Sequence, residues 1–162
     1  MSGLDGYTRA EVLGVYPVQI GGERVPAFVM LVEGADWGGR VLPIFIGIPE
    51  ALAIDRALKG VETERPMTHD LLVDVVEALE ARVVRVTIDA LLESSVYTAT
   101  LVLGRGEDGG EKLYYVDARP SDAVAVALRA GAPIYVAERL RKYARAPEGR
   151  LQYGGEDTVW VE

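Results

Sequence analysis

Twice along this chain, three short runs rich in Val, Ile, Tyr and Phe are followed by a helix-forming segment, and that repeated order limits the fold more than any other feature. The first set is VLGVYPVQI (Val12–Ile20), RVPAFVMLV (Arg24–Val32) and VLPIFI (Val41–Ile46), parted by Gly-Gly and Trp-Gly-Gly turns. β-Branched and aromatic residues between glycine turns predict strands, here a three-stranded antiparallel sheet. Gly47 breaks the third run, Pro49 suits a first helical turn, and EALAIDRAL (Glu50–Leu58) predicts a helix that stops at Gly60. The second set is VVRVTID (Val83–Asp89), VYTATLVL (Val96–Leu103) and KLYYVD (Lys112–Asp117), the last two joined by GRGEDGG (Gly104–Gly110). It leads into SDAVAVALR (Ser121–Arg129), apolar nearly all round and therefore a buried helix, closed by Gly131 and Pro133. PEALAI (Pro49–Ile54) and SDAVAV (Ser121–Val126) match in register, which indicates an internal duplication. Strand runs that lead into helices predict an α+β fold: a mixed or antiparallel sheet packed with helices, built from a duplicated strand-strand-strand-helix unit.

Between the two sets, a helix is predicted from Thr68 as N-cap, with Asp70 in its first turn and an apolar stripe of Leu71, Leu72, Val75, Val76 and Leu79. After the second set, PIYV (Pro133–Val136) predicts a last strand and Ala137 to about Ala144 a last helix. Residues 1–144 thus form one domain, and 145–162 a tail with linker-like APEG and YGG segments. The tail also carries Leu151, Tyr153, Val159, Trp160 and Val161, so a docked edge strand and an unstructured tail both stay open.

With 162 residues, almost half of them hydrophobic, the chain has enough apolar material for one real core. It holds no cysteine, which excludes disulfides, thiolate catalysis and sulfur-based zinc sites. No run approaches the ~18 apolar residues of a membrane span, no cationic leader opens the sequence, and the expectation is a cytoplasmic protein without a membrane partner. The net charge of −8 argues against tight, sequence-independent binding of long nucleic acid but leaves room for a locally basic cleft. The cation-rich run ERLRKYARAPEGR (Glu138–Arg150) is read as a solvated helix and tail rather than a nucleic-acid patch.

The chemistry-bearing residues gather at two helix starts. RPMTHDLL (Arg65–Leu72) holds the only histidine, and DARPSDAVA (Asp117–Ala125) repeats Arg, Pro, a small hydroxyl residue and Asp. Helix N-termini favour phosphates and carboxylates, so two such starts suggest one shared site. One histidine excludes a two-histidine mechanism, and no GxSxG, P-loop or dinucleotide fingerprint is present. The remaining set is carboxylate-rich. His69, Asp117 and Asp70 are the candidate catalytic residues; Arg65, Arg119, Thr68 and Ser121 the candidate substrate-binding residues; Glu50, Asp117 and Asp122 the candidate ligands of Mg²⁺ or Mn²⁺. Each also has a structural role open to it: Thr68 and Ser121 as N-caps, Asp70 and Asp122 as first-turn acids, Asp117 and Arg119 as an ion pair, Arg65 as partner of Glu62, Glu64 or a helix carboxylate.

LPIFIG (Leu42–Gly47), EALAIDRALKG (Glu50–Gly60), RPMTHDLL, DARPSDAVAVALR (Asp117–Arg129) and APIYVAE (Ala132–Glu138), in this order, closely resemble the bifunctional nuclease domain, over roughly Val12 to Leu140. The resemblance implies an α+β fold with a duplicated unit and an activity, since plant members are described as degrading both DNA and RNA. Glu50, Arg65, Thr68, His69, Asp70, Asp117, Arg119, Ser121 and Asp122 lie within the resembling motifs. The expectation is a metal-assisted nuclease of low sequence specificity, acting on DNA and RNA as a homodimer. The alternative is a non-catalytic oligomeric binding module whose motif residues serve as caps and ion pairs.

Overall fold

A computed structural model describes residues 4–107, 110–148, 150–154 and 157–162. The middle of the Gly104–Gly110 connection and parts of the APEG and YGG segments lie outside the described residues. Strands β1 (Tyr7–Ile20), β2 (Glu23–Gly34) and β3 (Val41–Ile46) lead into helix α1 (Ile48–Leu58), and α2 (Thr68–Ala78) follows. Strands β4 (Ala81–Leu92), β5 (Val96–Arg105) and β6 (Lys112–Ala118) lead into α3 (Pro120–Ala130). The chain ends with β7 (Ile134–Ala137), a 3₁₀ helix (Glu138–Tyr143), β8 (Leu151–Gly154) and β9 (Asp157–Val161).

One mixed sheet results, ordered β3-β2-β1-β7-β4-β5-β6, so the two antiparallel triplets flank the short β7. β7 runs antiparallel to β1 and parallel to β4. This is the α+β duplication expected from the repeated element order. Pro43 lies on edge strand β3, and Pro17 and Pro26 fall at the β1–β2 irregularity between the Pro17–Phe28 and Val18–Val25 pairs.

The helices α1 and α2 both pack on α3, which rests on β4 and β5. Ala123, Val124, Ala125, Val126 and Ala127 of α3 are all buried, as the absence of a polar face predicts. Alternating alanines let neighbouring backbones approach, and Gly131 ends the helix at φ 66°, a left-handed position that favours glycine. The main core joins these residues to Met30, Val32, Ile54, Val86, Ile88 and Leu101. Among the described residues no helix is long and apolar enough to cross a membrane.

Two expectations are corrected. The last helix is a 3₁₀ helix, short and tightly wound before Ala144. Thr68 and Ser121 are not N-caps; Met67 and Arg119 occupy those positions. Asp70 caps α2 instead, accepting a hydrogen bond from the Met67 backbone N–H at 2.9 Å. The expected apolar stripe of α2 is mostly exposed: Val76 is buried with Val73, whereas Leu71, Leu72, Val75 and Leu79 are exposed.

The open question of the tail resolves to docking. β9 adds to β1 in parallel, pairing Val18 with Trp160 and Gln19 with Val161, and β8 pairs antiparallel with β9. Trp160 is fully buried in a second cluster with Val18, Val29, Leu31 and Val41, on the sheet surface opposite Met30 and Val32. Trp160→Ala is expected to cost about 3–5 kcal/mol, lowering Tm by roughly 10 °C in a chain of this size. An unchanged thermal midpoint would show that the tail adds no packing energy.

Candidate functional site

All three α-helices carry an acid at the third helical position: Glu50 in α1 after N-cap Gly47, Asp70 in α2 after Met67, Asp122 in α3 after Arg119. Position N3 lies beside unpaired backbone N–H groups at the positive end of the helix dipole, where a carboxylate is favoured. The packing of α1 and α2 on either side of α3 then brings these carboxylates toward two guanidinium groups.

Arg119 holds the first group together. Its Nε donates to Asp122 Oδ2 at 2.8 Å and its Nη2 to Asp122 Oδ1 at 3.2 Å. Nη2 also lies 3.8 Å from Glu50 Oε2, so one side chain spans the starts of α1 and α3. His69, largely buried, places Nε2 2.9 Å from Asp122 Oδ1 across 53 residues of sequence. The two Arg-Pro segments therefore do meet. Partial burial works to raise the Asp122 carboxyl, but hydrogen bonds from Arg119 and His69 outweigh it and hold the group below its ordinary range. The same contact with Asp122 pushes Arg119 further above its ordinary value.

Arg129 holds the second group. Its Nε donates to Asp70 Oδ1 at 2.7 Å, Nη1 to the Ala125 carbonyl at 3.0 Å and Nη2 to the Ala53 carbonyl at 3.1 Å. The Met67 N–H is the largest influence depressing Asp70, followed by Arg129 against a counteracting burial.

Not every expected residue joins. Arg65 and Thr68 are exposed, and neither side chain bonds to this cluster. Asp117 pairs across strands with Thr100, whereas its neighbour Ala118 pairs with the core residue Ala99. Asp117 therefore faces the side of the sheet away from the α-helices, and Arg119 takes Asp122 and Glu50 as partners in its place. Glu50, Asp117 and Asp122 consequently do not converge as metal ligands. Among the described residues no group of three or more histidines and carboxylates is placed to hold a metal ion.

A cleft of about 870 Å³ opens beside the Arg119 cluster. Glu50, Arg119 and the buried Ser121 line it, together with Lys142 and Arg145 from the cation-rich run read as solvated. Phe45, Tyr97 and Tyr143 supply aromatic faces to its walls. His69 does not line the cleft; it stands behind Asp122. Lys142, Arg145 and the aromatic residues escape sequence reasoning because they come from separate elements, although the density of cations in ERLRKYAR was a visible clue.

Asp70, with its folded-state pKa depressed, contributes stability that is fully present above its unfolded value of about 4 and is lost as pH falls through the lower folded value. The stability gap between wild type and Asp70→Asn, measured by denaturant unfolding, is expected to be constant above about pH 5 and to narrow below about pH 4. A pH-independent gap would mean that the Asp70 charge contributes nothing.

The family profile described as bifunctional nuclease domain matches residues 29–148. An uncharacterized protein of Mycobacterium tuberculosis is 46% identical over 110 residues, covering 68% of this chain and 62% of that protein. Bifunctional nuclease 1 and bifunctional nuclease 2 of Arabidopsis thaliana are 32% and 30% identical over 113 residues each, 68% of this chain but 33% of theirs. The chain thus spans less than two thirds of its mycobacterial relative and about a third of the plant proteins. The profile match takes in all three α-helices, both Arg-Pro segments and the strands from the second half of β2 to β7, and the chain belongs to the bifunctional nuclease domain family.

Proposed function

We propose that this chain is a nuclease of low sequence specificity that hydrolyses phosphodiester bonds of DNA and RNA in the cleft beside Arg119. The carrying observation is the lining: Arg119, Lys142 and Arg145 present three cations within one cleft of an acidic protein, together with Phe45, Tyr97 and Tyr143. Cations hold a phosphate backbone and aromatic faces stack on any base, which suits single strands without reading sequence. Two carboxylates line the cleft; Glu162 lies 3.6 Å from Arg145, and Glu50 is the one beside Arg119, placed to take a proton from an attacking water while Arg119 offsets charge developing on phosphorus. Asp122 and His69 act through Arg119 as positioning residues. The expected metal triad does not assemble, so no step is routed through a metal, and the activity is tested with Mg²⁺, with Mn²⁺ and with chelator.

Glu50→Gln and Arg119→Gln are each expected to lower the rate on single-stranded DNA and RNA by about 10²-fold or more. The exposed Asp117→Asn, on the other face, is expected to keep wild-type activity. Full activity in Glu50→Gln and Arg119→Gln would remove the cleft, and loss in Asp117→Asn alone would move the site across the sheet. One observation favours a second reading, a non-catalytic binding module: the three N3 acids are already partnered by Arg119, Arg129 or backbone, and His69 by Asp122. Purified wild-type protein without cleavage activity under all three conditions would select it.

The exposed α2 stripe supports a homodimer under either reading. Leu71, Leu72, Val75 and Leu79 are 39–62% exposed along one helix, a self-complementary surface suited to a two-fold contact. Light scattering is expected to give twice the chain mass of 17.5 kDa for the wild type and a monomer for Val75→Glu. A monomeric wild type would refute the contact.

A further inference from the structure

The sheet face away from the α-helices carries a second polar site that the nuclease reading does not use. Along β4, Val86 and Ile88 enter the main core, and the alternate residues Arg85, Thr87 and Asp89 form the opposite face. The β4–β5 register shifts between Val83 and Arg85 and again between Ile88 and Ala90, so bulges bracket this segment. Bulges re-aim side chains, and they gather beside functional sites. Here they border a cavity of about 260 Å³, lined by Tyr7, Arg85, Thr87, Asp89, Thr100 and Arg139, with Val102 and Tyr115 beside them.

The hydrogen bonds of this cavity are lopsided. Asp89 is fully served: the hydroxyls of Tyr7 and Thr87 donate to Oδ1 and that of Thr100 to Oδ2, each at 2.7 Å. Arg85 is not. It is 91% buried, and its Nε has no hydrogen-bond partner. A buried guanidinium nitrogen without an acceptor costs on the order of 1–3 kcal/mol, more when charged, so an acceptor is the missing component. One bridging water needs only about 10–15 Å³ of such space, far less than this cavity offers. Arg139, exposed at the rim, adds a second cation, and Tyr115 a further hydroxyl at the mouth. The carboxylate has its donors, Arg139 reaches the Tyr7 hydroxyl, and Arg85 Nε lacks an acceptor, which points to an anion rather than a metal ion.

We infer that this cavity binds a phosphate-class oxyanion through Arg85 and Arg139, with Asp89 and its three hydroxyl donors fixing the wall. Planar guanidinium groups present paired N–H donors that match phosphate oxygens. The anion is free phosphate or the terminal phosphomonoester of a nucleic acid strand, which share this chemistry. The site stands on the far side of the sheet from Arg119 and holds whether or not the cleft cleaves.

The test is calorimetric titration of the full chain with inorganic phosphate and, separately, with a 5′-phosphorylated and an unphosphorylated oligonucleotide. Saturable phosphate binding is expected in the wild type and in Arg119→Gln, weakened at least tenfold in Arg85→Gln and severalfold in Arg139→Gln. Arg139 is exposed, so its variant remains informative should Arg85→Gln fail to fold. Tighter binding of the 5′-phosphorylated strand than of free phosphate, abolished by Arg139→Gln, assigns the site to strand ends; the reverse order assigns it to free phosphate. No saturable binding in the wild type, or wild-type affinity in both the Arg139→Gln and Arg85→Gln variants, overturns the inference and leaves water in the cavity.

Discussion

The arrangement of the three helices depends on the Arg129 side chain. From the last turn of α3 it reaches the Asp70 carboxylate at the start of α2 and the Ala53 carbonyl within α1, while also binding its own helix at Ala125. A largely buried guanidinium needs such a complete set of acceptors, since an unmatched buried charge is strongly destabilising. The three acceptor sites are available together only when α1 and α2 sit on α3 in one relative position. Apolar packing supplies the main drive toward compactness, but it is non-directional; the fork geometry of Arg129 selects the arrangement.

Once the helices are held there, their N-termini act as a group. Each carries an acid at N3, and the bonds of Arg119 and Arg129 distribute two cations over three carboxylates. Arg119 is the more exposed of the two guanidinium groups and borders the cleft, so it can meet a ligand while Arg129 cannot. The same chemical pairing thus serves structure at one helix start and stands ready for binding at another. The sheet then separates two chemistries: the helix side carries the Arg119 cleft, and the opposite side carries the cavity bounded by Arg85 and Asp89.

Much of this was legible in the residues. The duplicated element order, the burial of α3 from its lack of a polar face, the closing Gly131 and the approach of the two Arg-Pro segments follow from period, turn chemistry and helix-terminus electrostatics. The N-caps were misplaced because a hydroxyl is only one way to satisfy a helix start; at α2 Asp70 reaches back instead. The exposure of the α2 stripe was not legible, because periodicity reports that one helix face is apolar, not what covers it. Arg129 closes the DARPSDAVAVALR motif, where a terminal arginine on an apolar helix reads as ordinary dipole compensation. Arg85, Thr87 and Asp89 were visible as polar residues at period two inside a β-rich run, a pattern that marks a polar sheet face.

Local chemistry therefore determined what each segment is: strand, helix, cap or turn, and which acids sit at helix starts. Only the tertiary structure decided which of those groups share a space. Asp117 and Arg119 are two residues apart, yet a strand that ends at Ala118 and a helix that begins at Pro120 send them to opposite sides of the sheet. His69 and Asp122 are 53 residues apart and in contact. Strand alternation turns one residue of register into a change of face, and helix packing closes distances that no local propensity encodes.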